Sequence, residues 1–179
     1  MHFSNQLNGR AQTVTDLFNA TFSASEGPDE GALIGNLVQR ILTTTDAEDL
    51  DVFTTWEGDT LTGAIIFTRL TFAGETRVAF MLAPVAVATA YQGKGVGQRL
   101  IRHGLDAMKE CGAEIAITYG DPNYYTRVGF VPVSVDDVPP PLPPQYPEGW
   151  MAQSLSEAPL GKLRGPSTCV PAFDNPVYW

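Results

Sequence analysis

The sequence predicts one α+β domain: a mixed, mostly antiparallel sheet flanked by helices. Three observations predict it. Two amphipathic helical patterns lie between Thr13 and Leu42. Three strand-like runs joined by short turns follow between residues 51 and 87. Then a strand, a glycine-rich turn, a helix and a second strand run from residue 82 to residue 119.

The residues up to about Leu7 read as a short edge strand. From Thr13 a helical period begins, with Val14, Leu17, Phe18 and Phe22 on one face, and Thr13 with Asp16 resembles a capping box. Gly27-Pro28 breaks the chain. Asp29 and Glu30 lie in the first turn of a second helix, where negative charge is favoured. Its apolar face is Leu33, Ile34, Leu37, Val38, Ile41 and Leu42.

Asp51 to Trp56, Leu61 to Leu70 and Arg77 to Val87 read as strands. Glu57-Gly58-Asp59 and Ala73-Gly74-Glu75 are the turns between them. Short turns imply an antiparallel meander. Pro84 cannot donate a ladder hydrogen bond, so it predicts a bulge or a place where pairing parts. Val96, Leu100, Ile101, Leu105 and Met108 keep a 3.6-residue period, with Lys109 in the last turn and Gly112 just beyond. Ile115 to Tyr119 is a short apolar strand, so strand, helix and strand form a parallel crossover.

The six prolines at 139, 140, 141, 143, 144 and 147 predict an extended, polyproline-like surface crossing over 138–149. Trp150 to Leu155 reads as a final strand, and Gly161 to Trp179 gives few signals. The expected organisation is a single domain over 1–179. Its core is about 1–135, followed by the proline-rich crossing 138–149 and a C-terminal strand and tail over 150–179.

Composition narrows the function. A hydrophobic fraction of 44% fills a core and argues against disorder. No apolar run reaches the roughly 18–20 residues that span a bilayer. The N-terminus lacks a basic start followed by an apolar block, so a cytoplasmic protein is expected. A formal net charge of −9 repels phosphate backbones and suits cationic small molecules, so nucleic acid and membrane are not expected partners. Cys111 and Cys169 are expected as free thiols, Cys111 as a packing residue. His2 and His103 have no partner at metal-ligand spacing, so no metal is expected.

The chemistry is concentrated in Val85-Ala86-Val87-Ala88-Thr89-Ala90-Tyr91-Gln92-Gly93-Lys94-Gly95-Val96-Gly97-Gln98. A strand ends, glycines alternate, and a helix starts. Glycines let backbone N–H groups converge, and the helix N-terminus adds partial positive charge, which together make a pocket for phosphate. Lys94, Arg99 and Arg102 reverse the local charge. A P-loop would need Ser or Thr after Lys94, which is followed by Gly95. A dinucleotide fingerprint would need glycine at 98 or 100, occupied by Gln98 and Leu100.

The pattern Gln92-x-x-Gly95-x-Gly97 resembles the acyl-CoA diphosphate loop of the GNAT superfamily of acetyl-CoA-dependent N-acetyltransferases. That resemblance implies a GNAT-like fold with a splayed fourth and fifth strand, which the break at Pro84 suits. It implies acetyl-CoA as co-substrate. Backbone around Val85, Ala86 and Val87 would hold the pantetheine arm. Gln92, Gly93, Lys94, Gly95, Val96, Gly97 and Gln98 would hold the diphosphate. A homodimer is compatible with the family.

A second stretch is Gly120-Asp121-Pro122-Asn123-Tyr124-Tyr125-Thr126-Arg127-Val128-Gly129-Phe130. By itself it reads as a turn, one or two helical turns and another strand, and either tyrosine singly could be packing. It resembles the Tyr-x-x-x-Gly-Phe of GNAT proteins, in which Tyr125 would be the general acid toward the CoA sulfur. The Gly-Asp-Pro-x-Tyr-Tyr form resembles one branch of that superfamily. GNAT enzymes often carry a general-base Glu on the fourth strand. Arg77 to Val87 holds no carboxylate, so Asp121 is the first candidate base, with Glu26, Asp29 and Glu30 behind it. The expected activity is transfer of an acetyl group to a primary amine by direct attack in a ternary complex. The alternative is a non-catalytic CoA-binding sensor or interaction module.

Overall fold

The computed structural model describes residues 1–179. The chain folds as β1 (His2–Ser4), α1 (Ala11–Glu26), α2 (Pro28–Thr44), β2 (Leu50–Glu57), β3 (Thr60–Phe72), β4 (Ala79–Val87), α3 (Val96–Glu110) and β5 (Ile115–Tyr119). α4 (Pro122–Tyr125), β6 (Val131–Pro132), β7 (Trp150–Ser154) and β8 (Ser167–Cys169) complete it. The strands hydrogen-bond in the order β1-β2-β3-β4-β5-β7-β6, with β8 paired to β3. β4 and β5 are parallel, as the helical crossover requires, while β5–β7, β6–β7 and β3–β8 are antiparallel. The sheet is mixed and flanked by helices, as expected. No helix is long and apolar enough to cross a membrane.

The chain forms two compact units, and β3 and β4 pass through both. The first holds residues 1–67 and 84–104. In it, β1 pairs antiparallel with β2, His2 opposite Trp56. Val14 and Phe18 of α1 and Leu37, Val38 and Ile41 of α2 are buried. The helical period is therefore a core face.

α1 starts two residues before Thr13. Its N-cap is Arg10, with no side-chain cap, so the expected Thr13–Asp16 capping box is not formed. Thr13 lies inside the helix, where it is no cap. α2 starts as read, with Pro28 at its head and Asp29 and Glu30 in the first turn. Gly27, at φ 103°, makes the corner between the two helices.

The α1–α2 contact is unusually close. A Cβ on Gly31 would stand 2.6 Å from the Asn19 carbonyl oxygen and against the Ser23 hydroxyl. One on Gly35 would stand 3.2 Å from the Asn19 side chain. Alanine in a helix interior normally gains about 1 kcal/mol over glycine. Here overpacking against backbone reverses the sign. Gly31→Ala should lose about 2 kcal/mol net. A thermal melt should then show a fall in Tm of roughly 4–8 °C. A higher Tm would contradict the close approach.

The second unit holds residues 68–83 and 105–179. Ile115, Ile117, Trp150, Met151 and Phe130 are buried in it. The β5–β7 register runs from Ile115↔Ser154 to Tyr119↔Trp150. Trp150 does not open the last strand. β8 follows, pairing Leu70↔Cys169 to Phe72↔Ser167. Three residues leave too short a pattern to show in the sequence. Cys111 is exposed rather than packed. It follows α3 on the turn before Gly112, whose φ is 93°.

Candidate functional site

The residues expected to hold a diphosphate come together in the first unit. β4 ends at Val87, a single turn (Thr89–Tyr91) follows, and α3 begins at Val96. Gly93 and Gly95 both sit at φ 72°, in the left-handed region glycine tolerates. Those two positions allow the chain to double back into the helix.

The loop is tied internally. Gln92 Nε2 donates to the Val87 carbonyl at 3.0 Å, fastening the loop to the strand end. Lys94 Nζ donates to the Ala90 carbonyl at 2.9 Å and lies 5.4 Å from the Tyr91 ring centre. Arg99 Nη2 donates to the Lys94 carbonyl at 3.0 Å. Tyr91 donates its phenol to Glu57, and that bond raises its pKa above the ordinary range. The first intrahelical bond runs from the Arg99 N–H to the Gly95 carbonyl. Amides of Val96, Gly97 and Gln98 precede it, and a helix's first-turn amides point outward for an anion.

Val85, Ala86 and Val87 form the strand end leading into this loop. Ala86 is buried, with its carbonyl 3.2 Å from where a Gly63 Cβ would stand. Val85 and Val87 are half-buried. Within the second unit, pairing of β4 with β5 runs from Ala79↔Ile115 to Leu82↔Thr118. β4 itself continues beyond this to Val87. Pro84, which has no N–H, falls just past the last pair, where the sequence places a break in pairing.

Asp121 and Tyr125 lie in the second unit, one turn apart on α4. Asp121 caps this helix. Its Oδ1 accepts from the Asn123 backbone N–H at 2.9 Å and from Asn123 Nδ2 at 3.1 Å. Pro122 in the first position needs no acceptor. The Tyr125 ring is fixed on several sides. It lies where a Gly120 Cβ would meet it at 2.7 Å, and it packs edge-on against Tyr124 and Phe130.

Tyr125 is half-buried as a residue, yet its hydroxyl end is enclosed by protein. That desolvation pushes the phenol well above its usual range, and a hydrogen bond with Thr118 offsets part of the rise. Thr118 is fully buried and donates its own hydroxyl to the Leu82 carbonyl at 2.8 Å. Sequence reasoning did not single out Thr118. Its signal is a lone hydroxyl in the apolar run Ile115 to Tyr119.

A cavity of about 330 Å³ opens beside α4, lined by Tyr119, Gly120, Asp121, Pro122, Tyr146, Glu148 and Gly149. Residues 146–149 come from the end of the proline-rich crossing. Glu26, Asp29 and Glu30, the remaining carboxylates considered, stand at the α1–α2 corner in the first unit. No cluster of three or more His, Cys, Asp or Glu side chains could hold a metal.

A family model for the acetyltransferase (GNAT) domain matches residues 6–133. The chain belongs to the GNAT acetyltransferase family. It is 40% identical over 116 residues to the uncharacterized N-acetyltransferase YjhQ of Escherichia coli, covering 62% of this chain and 64% of that protein. It is 37% identical over 68 residues to the uncharacterized N-acetyltransferase YhbS of the same species, covering 38% of this chain and 41% of YhbS. Both alignments span less than two thirds of the relative's length.

Solved GNAT structures share the fold. YhbS in complex with CoA gives a TM-score of 0.79 at 22% identity, over 97% of this chain and 92% of that one. A GNAT acetyltransferase from Brucella melitensis in complex with acetyl-CoA gives 0.74 at 24% identity, over 97% of each chain.

Proposed function

We propose that this GNAT protein transfers the acetyl group of acetyl-CoA to a primary amine, by direct attack in a ternary complex. The observation that carries this is the loop from Val87 to Gln98. Two left-handed glycines turn the chain into the N-terminus of α3, and Gln92, Lys94 and Arg99 brace it from within. Such a loop presents amides and a helix dipole to a diphosphate without needing a metal. The fold relatives bound to acetyl-CoA and CoA support this assignment.

In this proposal Gln92, Gly93, Lys94, Gly95, Val96, Gly97 and Gln98 hold the diphosphate, and the backbone of Val85, Ala86 and Val87 takes the pantetheine arm. The acceptor ammonium loses a proton to Asp121 or to solvent. Asp121 has Oδ2 for this, since Oδ1 serves Asn123. The neutral nitrogen attacks the thioester carbonyl, and a C–N bond forms. The tetrahedral intermediate loses a second proton and its C–S bond breaks, with the electron pair leaving on sulfur. Tyr125 donates a hydrogen bond from its O–H to that sulfur, which stabilises the departing thiolate, and the thiolate takes up the second proton as it leaves the site. The products are an amide, CoA thiol and one proton released to solvent.

A thermal melt with and without acetyl-CoA tests this directly. At 100 times the dissociation constant, ligand adds about 2.7 kcal/mol. A rise in Tm of roughly 5–10 °C is expected. Gly95→Val should abolish the shift. It forces a β-branched residue to φ 72° and places its Cβ 3.1 Å from Arg99 Nη1. No shift for the unmodified protein at saturating acetyl-CoA would remove the basis of the proposal.

A further inference from the structure

The proline-rich crossing is not explained by any role in binding CoA, yet it builds one wall of the cavity beside α4. Its end is fastened to β5 at two points. The Tyr146 backbone N–H donates to the Tyr119 hydroxyl at 2.7 Å. The Gly120 N–H donates to the Gly149 carbonyl at 3.0 Å. Gly149 is needed there, because a Cβ would stand 2.8 Å from the Gly120 carbonyl oxygen. This contact brings Glu148 to the same cavity as Asp121, from a segment 27 residues later in sequence.

The lining has a definite chemistry. Two tyrosines, Tyr119 and Tyr146, supply aromatic surface. Two carboxylates, Asp121 and Glu148, come from separate segments, and no lysine or arginine lines the cavity. Tyr119 is rigid: its ring stacks on Trp179 and meets Trp150 edge-on. Tyr146 is 59% exposed, so its ring stands at the open side of the cavity. With Asp121 and Glu148 among the lining residues and no basic side chain to offset them, the cavity favours a cationic occupant. Tyrosine faces attract an ammonium and cover methylene groups.

We infer that this cavity is the acceptor site and that it selects an aliphatic amine carrying two ammonium groups, one held by Glu148 and Tyr146 while the other reaches Asp121. The inference rests on the acetyl transfer proposed above and narrows its acceptor from amines at large to linear diamines and their longer homologues. Glu148 and Tyr146 are then specificity-determining residues supplied by the proline-rich crossing, which also gives that segment a purpose. A monoamine of the same length would fill only half the site.

The test compares diaminobutane with butylamine as acceptors, following release of CoA thiol, and measures diaminobutane binding calorimetrically without acetyl-CoA. The diamine should be preferred in kcat/KM by about tenfold, the scale of one charge pair with aromatic support. Glu148→Gln should remove most of that preference by raising the KM for the diamine. Calorimetry should show the same loss of diamine affinity. Equal use of both amines, or diamine binding unaffected by Glu148→Gln and Tyr146→Ala, overturns the inference. The two levels separate cleanly. Diamine binding that needs Glu148, in a protein that never binds acetyl-CoA, upholds the cavity and overturns the transferase proposal. Acetyl-CoA binding with no diamine preference does the reverse.

Discussion

Tyr125→Phe is expected to lower kcat by about a hundredfold or more while leaving the KM for acetyl-CoA within about twofold. The ring would stay where it is, because Gly120, Tyr124 and Phe130 hold it and phenylalanine keeps those contacts. Only the O–H is lost. Its raised pKa also says how the hydroxyl would act. A thiol ionises near about 8.5 and an ordinary phenol near about 10. Enclosure pushes Tyr125 higher still, so complete proton transfer to the departing thiolate is uphill. The hydroxyl would therefore stabilise the developing sulfur charge as a hydrogen-bond donor, and the sulfur would collect its proton as it leaves the site.

Because the folded-state pKa lies above that of a free phenol, Tyr125 remains protonated across the working range, and a pH–kcat profile should show no falling limb from it below about pH 10. Thr118→Val tests the partner. Thr118 hydrogen-bonds the Tyr125 hydroxyl, so removing that partner should lower kcat without shifting the KM for acetyl-CoA. Thr118→Ser should restore it. Unchanged turnover in Tyr125→Phe would remove the tyrosine from the chemistry, whatever Thr118→Val shows.

What the sequence revealed, and what it hid, divides along physical lines. The longer helices and strands through Tyr119 could be read directly, because each carries an apolar period that burial demands. Leu37, Val38 and Ile41 on α2 and Leu100, Ile101 and Met108 on α3 are core residues in the structure. The glycine loop was legible for another reason: left-handed φ at Gly93 and Gly95 leaves a compositional mark. Elements without such marks were missed. β8 is three residues long and is held by pairing with a strand about 97 residues earlier, Leu70↔Cys169 and its neighbours. The α1 start was misplaced because Arg10 caps it without a side-chain bond, leaving Thr13 as the residue with the expected chemistry. The cavity was hidden for the same reason as β8. Glu148 and Asp121 line one cavity through the Gly120–Gly149 and Tyr119–Tyr146 contacts, which no local pattern encodes.

Trp150→Ala is expected to be the most destabilising single substitution in the second unit, at about 4 kcal/mol or more. Three separate losses combine. The side chain is fully buried, so truncation leaves a large cavity. Its indole N–H donates to the Val138 carbonyl at 2.8 Å, a buried bond that anchors the start of the proline-rich crossing. An acceptor left without its donor there costs about 1–3 kcal/mol. The ring also meets Tyr119 and Trp179 at centroid distances of 6.4 and 5.8 Å, and Trp179 returns its own indole N–H to the Phe173 carbonyl. One residue thus joins β7, the crossing and the C-terminal turns. Urea unfolding should show a lower midpoint with an unchanged slope. Trp150→Phe separates the causes: it keeps most of the aromatic volume and deletes the N–H, so its loss should be about half that of alanine. Because the crossing carries Tyr146 and Glu148 to the cavity, Trp150→Phe should also weaken diamine binding at temperatures where the domain remains folded. A variant that loses stability but keeps full diamine affinity would show that the crossing is held by its contacts with Tyr119 and Gly120 alone.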